Sequence, residues 1–401
     1  MDRPFTARPS YLFGSSAKGL NFDLTDRERW LLALLRKLAP CSRAVLIKAS
    51  GLSGPAIFRA TEDLATKGYI EIGEAIAAGR GQPSNEVHLK EKAAISLGLS
   101  VTSDFAQAAI MDLSGHVRVT KDVTAPDMRL DAILEATKAF LNEQMRDHFV
   151  GSTLTGIGLA IAGFFIGDGQ KLNPVPQLDD WAMVELAPIW EAQFGVPVIV
   201  ENIASAAAVG ESLIGAGQRF NSFGYVNFAF GFGGGVVLDG RLWRGKSGNA
   251  GEFAAILGAV GAFVPTLESL RLHLNDQGEQ IAGLLDLLTW LDDHVHSVEQ
   301  WGMEWIQKAS HSIAMLAEVL NGCVDVDALV LGGRLPPFLA SRIAELATQE
   351  HLENRVPIRR GQERPFMKII AAEVSGQSAV IGAAALPLTA RIFSPVTNLL
   401  P

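Results

Sequence analysis

V-E-N-I-A-S-A-A-A-V-G-E, residues 200–211, joins an apolar stretch at 196–200 to a run of small residues that predicts a helix over 204–214. Two polar side chains, Glu201 and Asn202, stand at the strand-to-helix junction, where α/β folds usually place ligand chemistry. Working outward, strands are expected at 98–102, 108–110, 116–120 and 154–161, with a long amphipathic helix over 127–146. Beyond the junction come a strand pair at 224–228 and 235–238, long helices within 266–320, and a final strand at 329–331. From Leu97 onward the texture is therefore α/β, and the 401-residue length exceeds one ordinary core. Two lobes are expected.

The composition, 48% hydrophobic and 19% charged, is that of a folded chain and not a disordered one. The most apolar run, 154–166, is interrupted by Thr155, Gly156, Gly158 and Gly163 and is shorter than the roughly 20 residues of a membrane span. No charged-then-apolar leader opens the sequence. Two cysteines, Cys41 and Cys323, leave no room for a disulfide framework or a cysteine-rich zinc site. A cytoplasmic protein without a membrane partner is expected. The net charge of −9 argues against a protein that coats nucleic acid generally. Yet residues 24–90 carry ten Lys/Arg against seven Asp/Glu, a net +3 that leaves −12 for the remainder. A basic segment on an acidic body is the asymmetry of a DNA reader joined to something else.

That segment has its own plan. Residues 1–23 lack periodicity and read as a tail. Thr25 with Glu28 three residues on has capping-box spacing, and Trp30, Leu31, Leu34 and Leu35 follow at helical intervals until Pro40. Ser42 caps a second helix that Gly51 ends, and a third is expected over 55–67 with Ile57 and Leu64 buried. Alternating strands at 69–72 and 85–89 flank a loop carrying Arg80. This predicts a winged helix-turn-helix over 24–95. Its third helix would enter the major groove, with Ser53, Ala56 and Arg59 at the front and Lys67 at the end. Ser42 and Arg43 complete the candidate DNA-binding set, with Arg80 reaching a phosphate or the minor groove. Glu62 and Asp63 should then face solvent. A protein-interaction module with the same core is the alternative.

The whole order resembles the ROK family of repressors, open reading frames and sugar kinases, in its transcriptional-regulator branch, as in xylose and N-acetylglucosamine repressors. The resemblance rests on 200–211, on G-F-G-G-G-V-V-L-D-G (231–240), on R-G-K-S-G-N-A-G-E (244–252), on L-V-L-G-G-R (329–334) and on S-A-V-I-G-A-A-A-L near the C-terminus. G-L-S-G-P-A-I-F-R and G-R-G-Q-P match the DNA-binding half of the family's repressors. It implies an α/β chain in which the winged helix-turn-helix precedes a two-lobed actin-like ATPase (sugar kinase) fold. Lobe 1 would span 96–205, with a C-terminal helix within 376–401 packing back on it, and lobe 2 would span 206–375.

The resemblance also implies which chemistry is missing. The kinases' catalytic base is the Asp after Glu-Asn, and Ile203 stands there. A general base contributes some 10²–10⁴-fold, so its loss alone leaves a poor enzyme. The first phosphate turn corresponds to Ser100, Thr102, Ser103 and Asp104, where an acid would repel phosphates. In the second, Ala229 and Phe230 replace two residues, and the remaining glycines have a packing explanation. The zinc motif has Ala255 at its His position and no cysteines nearby. No catalytic residue, no ATP and no zinc are expected. Of the family's sugar contacts, Asn202 and Glu252 match and Glu268 corresponds to a later Glu, with Trp181 as a stacking wall. The expected partners are a palindromic double-stranded operator, a sugar or sugar-derivative effector, and further copies of the chain as a homodimer or higher homo-oligomer. The expected function is a sequence-specific regulator, a repressor of carbohydrate-related genes, on a non-catalytic kinase-like body. A sugar kinase with an accessory domain, or a constitutive DNA binder without ligand, are the alternatives.

Overall fold

The computed structural model describes residues 22–76, 84–167, 169–353, 366–374 and 376–393. The expected tail, up to residue 21, and Arg80 lie outside them. The chain opens with α1 (Asp26–Leu38), β1 (Cys41–Ser42), α2 (Arg43–Ser50), α3 (Gly54–Thr66), β2 (Ile70–Ile76) and β3 (Ser84–Leu89). Thr25 and Glu28 form the capping box in full, Ser42 caps α2, and Gly51 ends it with φ +67°, a conformation that disfavours a side chain. Leu31, Leu35, Leu46, Ile57, Leu64, Tyr69 and Val87 are fully buried, so the helices and wing share one core. β1 was not foreseen in the sequence. Two residues carry too little pattern, but Cys41 pairs with Val87 and completes a three-stranded antiparallel wing of order β1-β3-β2.

The body continues with β4 (Ala94–Val101), β5 (Ala106–Asp112), β6 (Val117–Asp122), α4 (Leu130–Asp147), β7 (Thr153–Ile161), β8 (Gly163–Ile166) and β9 (Lys171–Pro174). Next come α5 (Leu186–Phe194), β10 (Val198–Asn202), α6 (Ile203–Ile214), β11 (Phe223–Phe228), β12 (Phe232–Leu238) and β13 (Arg241–Trp243). The last elements are α7 (Phe253–Ala259), α8 (Leu267–Asp276), α9 (Leu284–Asp293), α10 (Val298–Trp301), α11 (Met303–Cys323), β14 (Ala328–Gly333), α12 (Pro337–Glu353), β15 (Lys368–Ala371) and α13 (Ser378–Arg391). No helix among the described residues is long and apolar enough to cross a membrane. The chain packs as two units, one holding residues up to 159, 176–200 and from 384, the other 160–175 and 201–383.

The first unit contains the winged helix-turn-helix and a sheet of order β10-β7-β4-β5-β6. β4 is buried at every position, which explains its unalternating sequence: both faces are covered. Of its two serines, Ser96 is satisfied by donating its Oγ to Ala384 O at 2.5 Å, and Ser100 lies near the strand end. The end of α13 ties the winged helix-turn-helix to this sheet. Arg29 donates to Ala390 O at 3.2 Å, while Arg391 donates to Thr155 O at 2.6 Å and lies 3.8 Å over the Phe22 ring.

The second unit has a sheet of order β13-β12-β11-β14-β15, with β14 parallel to both β11 and β15. α11 lays Trp305, Ala309, Ile313, Leu316 and Leu320 into its core, as their helical spacing predicts. α6 and the first turns of α13 cross so closely that a Cβ on Gly382 would overlap Ala206 O, and one on Gly210 would overlap Ser378 O. Small residues in both markers are thus explained by helix-to-helix approach.

Candidate nucleic-acid interface and ligand site

α3 buries Ala56, Ile57, Ala60, Thr61 and Leu64, which turns Phe58, Arg59, Glu62 and Asp63 outward. Ser53 precedes the helix in extended conformation, its hydroxyl makes no capping bond, and Pro55 sits in the first turn. Arg59 is exposed, with no hydrogen bond or ion pair of its side chain among the described residues. Both side chains are exposed at the front of α3. The other described members of the candidate set, Ser42, Arg43, Ala56 and Lys67, are engaged elsewhere. Ala56 is buried in the helix core. Ser42 accepts from Val45 N at 3.4 Å as the cap of α2.

Arg43 is buried. Its Nε donates to Thr61 Oγ1 at 2.8 Å, its Nη2 to Glu62 at 2.6 Å, and its guanidinium lies 4.5 Å from the Phe58 ring centroid. Lys67 donates to both oxygens of Glu28, at 2.7 and 2.9 Å, and to Asp23 O at 2.7 Å. Burial pulls the Glu28 carboxyl upward, but the Lys67 and Thr25 hydrogen bonds outweigh it and leave its pKa below the ordinary value. Arg43 and Lys67 therefore correct the sequence expectation: both hold helices together, because each finds a carboxylate on a neighbouring helix. Phe58, absent from the sequence-derived set, was legible in principle, since a core line through 57, 61 and 64 places 58 outside.

At the other junction, β10 runs on through Glu201 and Asn202 before α6 starts at Ile203. Asn202 caps that helix. Its Oδ1 accepts from Ala204 N (2.7 Å) and Ser205 N (3.3 Å), and its Nδ2 donates to Gly163 O. Glu201 is fully buried, accepts from Asn202 N at 2.9 Å and pairs with Arg244 at 2.6 Å. Burial raises its pKa against the opposing pull of Arg244. Ile203 packs on the Ala160–Ala206–Ala383 cluster.

Gly233, Gly234 and Gly235 lie within β12 and form a packing platform. A Cβ on Gly235 would sit 2.8 Å from that of Ala208, one on Gly234 would strike the Phe253 ring, and one on Gly251 (φ +102°) would lie 2.6 Å from Gly234 O. The first turn of α6 and the turn before Glu252 are thereby drawn onto the same strand. The hairpin ahead of it is closed by Ala229 N donating to Gly231 O at 3.0 Å. In the β4–β5 turn, Asp104 accepts from Thr102 Oγ1 at 3.1 Å.

The residues expected to face a sugar fare unequally. Glu252 precedes α7, is exposed and makes no capping bond, and crowding by neighbouring atoms raises its pKa. Glu268 is held by Arg271 through two 2.7 Å bonds. Trp181 is fully buried, donates to Met128 O at 2.9 Å and lies 6.4 Å from the Trp190 ring. An indole enclosed on all sides has no face for a sugar, so Trp181 belongs to the core and not to a ligand wall.

Residues 96–258 match the model described as the ROK family. The chain is 25% identical to the uncharacterized protein y4fQ of Sinorhizobium fredii over 93% of each chain. It is 29% identical to the xylose repressor of Bacillus spizizenii over 56% of this chain and 58% of that protein. It is also 30% identical to a glucokinase of Streptomyces coelicolor over 40% of this chain and 49% of that one. A solved ROK-family transcriptional regulator, a homologue of the E. coli MLC protein, superposes with a TM-score of 0.68 at 19% identity, covering 90% of this chain and 95% of that one. The last likeness shows the fold expected from the sequence, a winged helix-turn-helix with an actin-like α/β body.

Proposed function

We propose that this chain, in which a winged helix-turn-helix precedes residues that match the ROK-family model, is a cytoplasmic, sequence-specific transcriptional regulator of carbohydrate-related genes, acting as a repressor. The observation that carries this is the front of α3, where Ser53 and Arg59 are exposed and, among the described residues, make no side-chain bond, while Arg43 and Lys67 are internally paired. Similarity to a xylose repressor supports it. Two copies on a palindromic operator would place two such helices one DNA turn apart. Binding to the protein's own promoter region should exceed binding to random DNA, fall steeply with salt, and weaken sharply in Arg59→Ala. Equal affinity for both DNAs refutes the reading.

The body is read as a non-catalytic sensor. Ile203 supplies no base, and Asn202 spends its carbonyl oxygen on the α6 cap. Glu252 is the candidate polar contact left exposed and, among the described residues, without a hydrogen bond or ion pair, so it is the residue assigned to a sugar or sugar-derivative effector. A thermal-shift screen with sugars and sugar phosphates, repeated on Glu252→Gln, tests this. ATP-dependent phosphorylation of a hexose would favour the kinase alternative instead, and the absence of any shift would favour a constitutive DNA binder.

A further inference from the structure

α3 presents an aromatic ring at the position where such a helix meets base edges. Phe58 is 53% exposed, immediately before Arg59 and about one turn after Ser53. An exposed apolar side chain on its own is ordinary. This one is held from behind. The Arg43 guanidinium lies 4.5 Å from the ring centroid, and that guanidinium is in turn fixed by Thr61 and Glu62 of the same helix. A buried cation with three partners is an expensive support, and it leaves the ring oriented with its remaining surface to solvent. Glu62, the acid on that side, is neutralised by the same arginine.

A phenyl ring offers no hydrogen bond, so it cannot read the donor and acceptor pattern of the major groove. The apolar group on that surface is the C5-methyl of thymine. We propose, resting on the DNA-binding reading above, that Phe58 is a specificity-determining residue that seats on a thymine methyl in the operator, and that Arg43 is its positioning residue. Arg59 and Ser53 then supply the polar contacts to either side of that apolar contact.

The test uses the full-length protein and an operator obtained by selection from random DNA. Each thymine is replaced in turn by deoxyuridine, which removes only the methyl. With wild-type protein, at least one position should weaken binding by about tenfold. Phe58→Ala should bind the thymine operator about tenfold more weakly and lose the distinction between thymine and uracil at that position. Its salt slope and its affinity for random DNA should not change, because Phe58 neutralises no phosphate. Phe58→Leu, which keeps an apolar contact, should retain part of the distinction and guards against a folding defect. Arg43→Met should reduce the distinction while leaving the salt slope unchanged. The proposal is overturned if no thymine is sensitive, or if Phe58→Ala still distinguishes thymine from uracil in full. Failure of selection to yield any preferred sequence overturns the DNA-binding reading itself.

Discussion

Replacing Lys67 with Met separates two roles that the sequence could not tell apart. In the fold, Lys67 donates to Glu28 at 2.7 and 2.9 Å and to Asp23 O at 2.7 Å, and so links the end of α3 to the start of α1. The Glu28 side chain is 5% exposed and that of Lys67 23%. Removing one partner of a fully buried pair costs about 3–5 kcal/mol, because the other charge is left uncompensated. Here the lysine is partly solvated, and Thr25 still donates to Glu28 through its backbone N (2.7 Å) and Oγ1 (2.9 Å). Roughly half the buried-pair figure, about 2 kcal/mol, is the expected loss. The assay is amide hydrogen exchange of α1 and α3 in the full-length protein, which reads local opening without assuming two-state unfolding of a multi-unit chain. The double variant Lys67→Met/Glu28→Gln should recover about 1 kcal/mol, since it removes the stranded charge. The salt slope of operator binding should be unchanged. A stability loss below about 0.5 kcal/mol together with a slope reduced by about one would make Lys67 a phosphate contact and refute the reasoning.

Acid should loosen the same helices. The folded pKa of Glu28 is depressed, so its contribution is present above the ordinary glutamate range of about 4–4.5 and is lost as pH falls through the folded value; opening of α1 should grow there in wild type and much less in Glu28→Gln. Arg391→Met removes the hydrogen bond to Thr155 O and the cation over Phe22, with an expected loss of about 1–2 kcal/mol, and protection should fall in α1 while the second unit keeps its exchange pattern. Gly382→Ala forces a Cβ into Ala206 O, and about 1–3 kcal/mol of destabilisation in thermal unfolding is expected; an unchanged melting curve would contradict the close α6–α13 crossing. Ile203→Asp places a carboxylate against Ala160, Ala206 and Ala383, so lower stability and no ATP-dependent hexose phosphorylation are expected, whereas measurable phosphorylation in the variant would contradict the loss of the phosphate-binding turns.

Local rules settled by the sequence were those whose physics is short-range. The Thr25–Glu28 capping box, the Ser42 cap, the Gly51 stop and the buried line of α11 depend on residues three or four apart, and spacing alone reveals them. The ordered small-residue markers of the body were equally legible, because glycines are needed wherever strands and helices approach closely. Short partners were not. β1 and β15 span two and four residues, and they become strands only when β3 and β14 lie alongside. Side-chain assignments turned on tertiary structure most of all. Arg43, Lys67 and Arg59 are all cations near one helix, yet a carboxylate lies within reach of the first two, and only folding decides which. Trp181 could stack on a sugar or fill a core with equal chemistry, and the packing of α5 and the Met128 carbonyl chose the core. Charge and polarity are properties of a residue. Whether they are available to a ligand is a property of what the fold brings beside it.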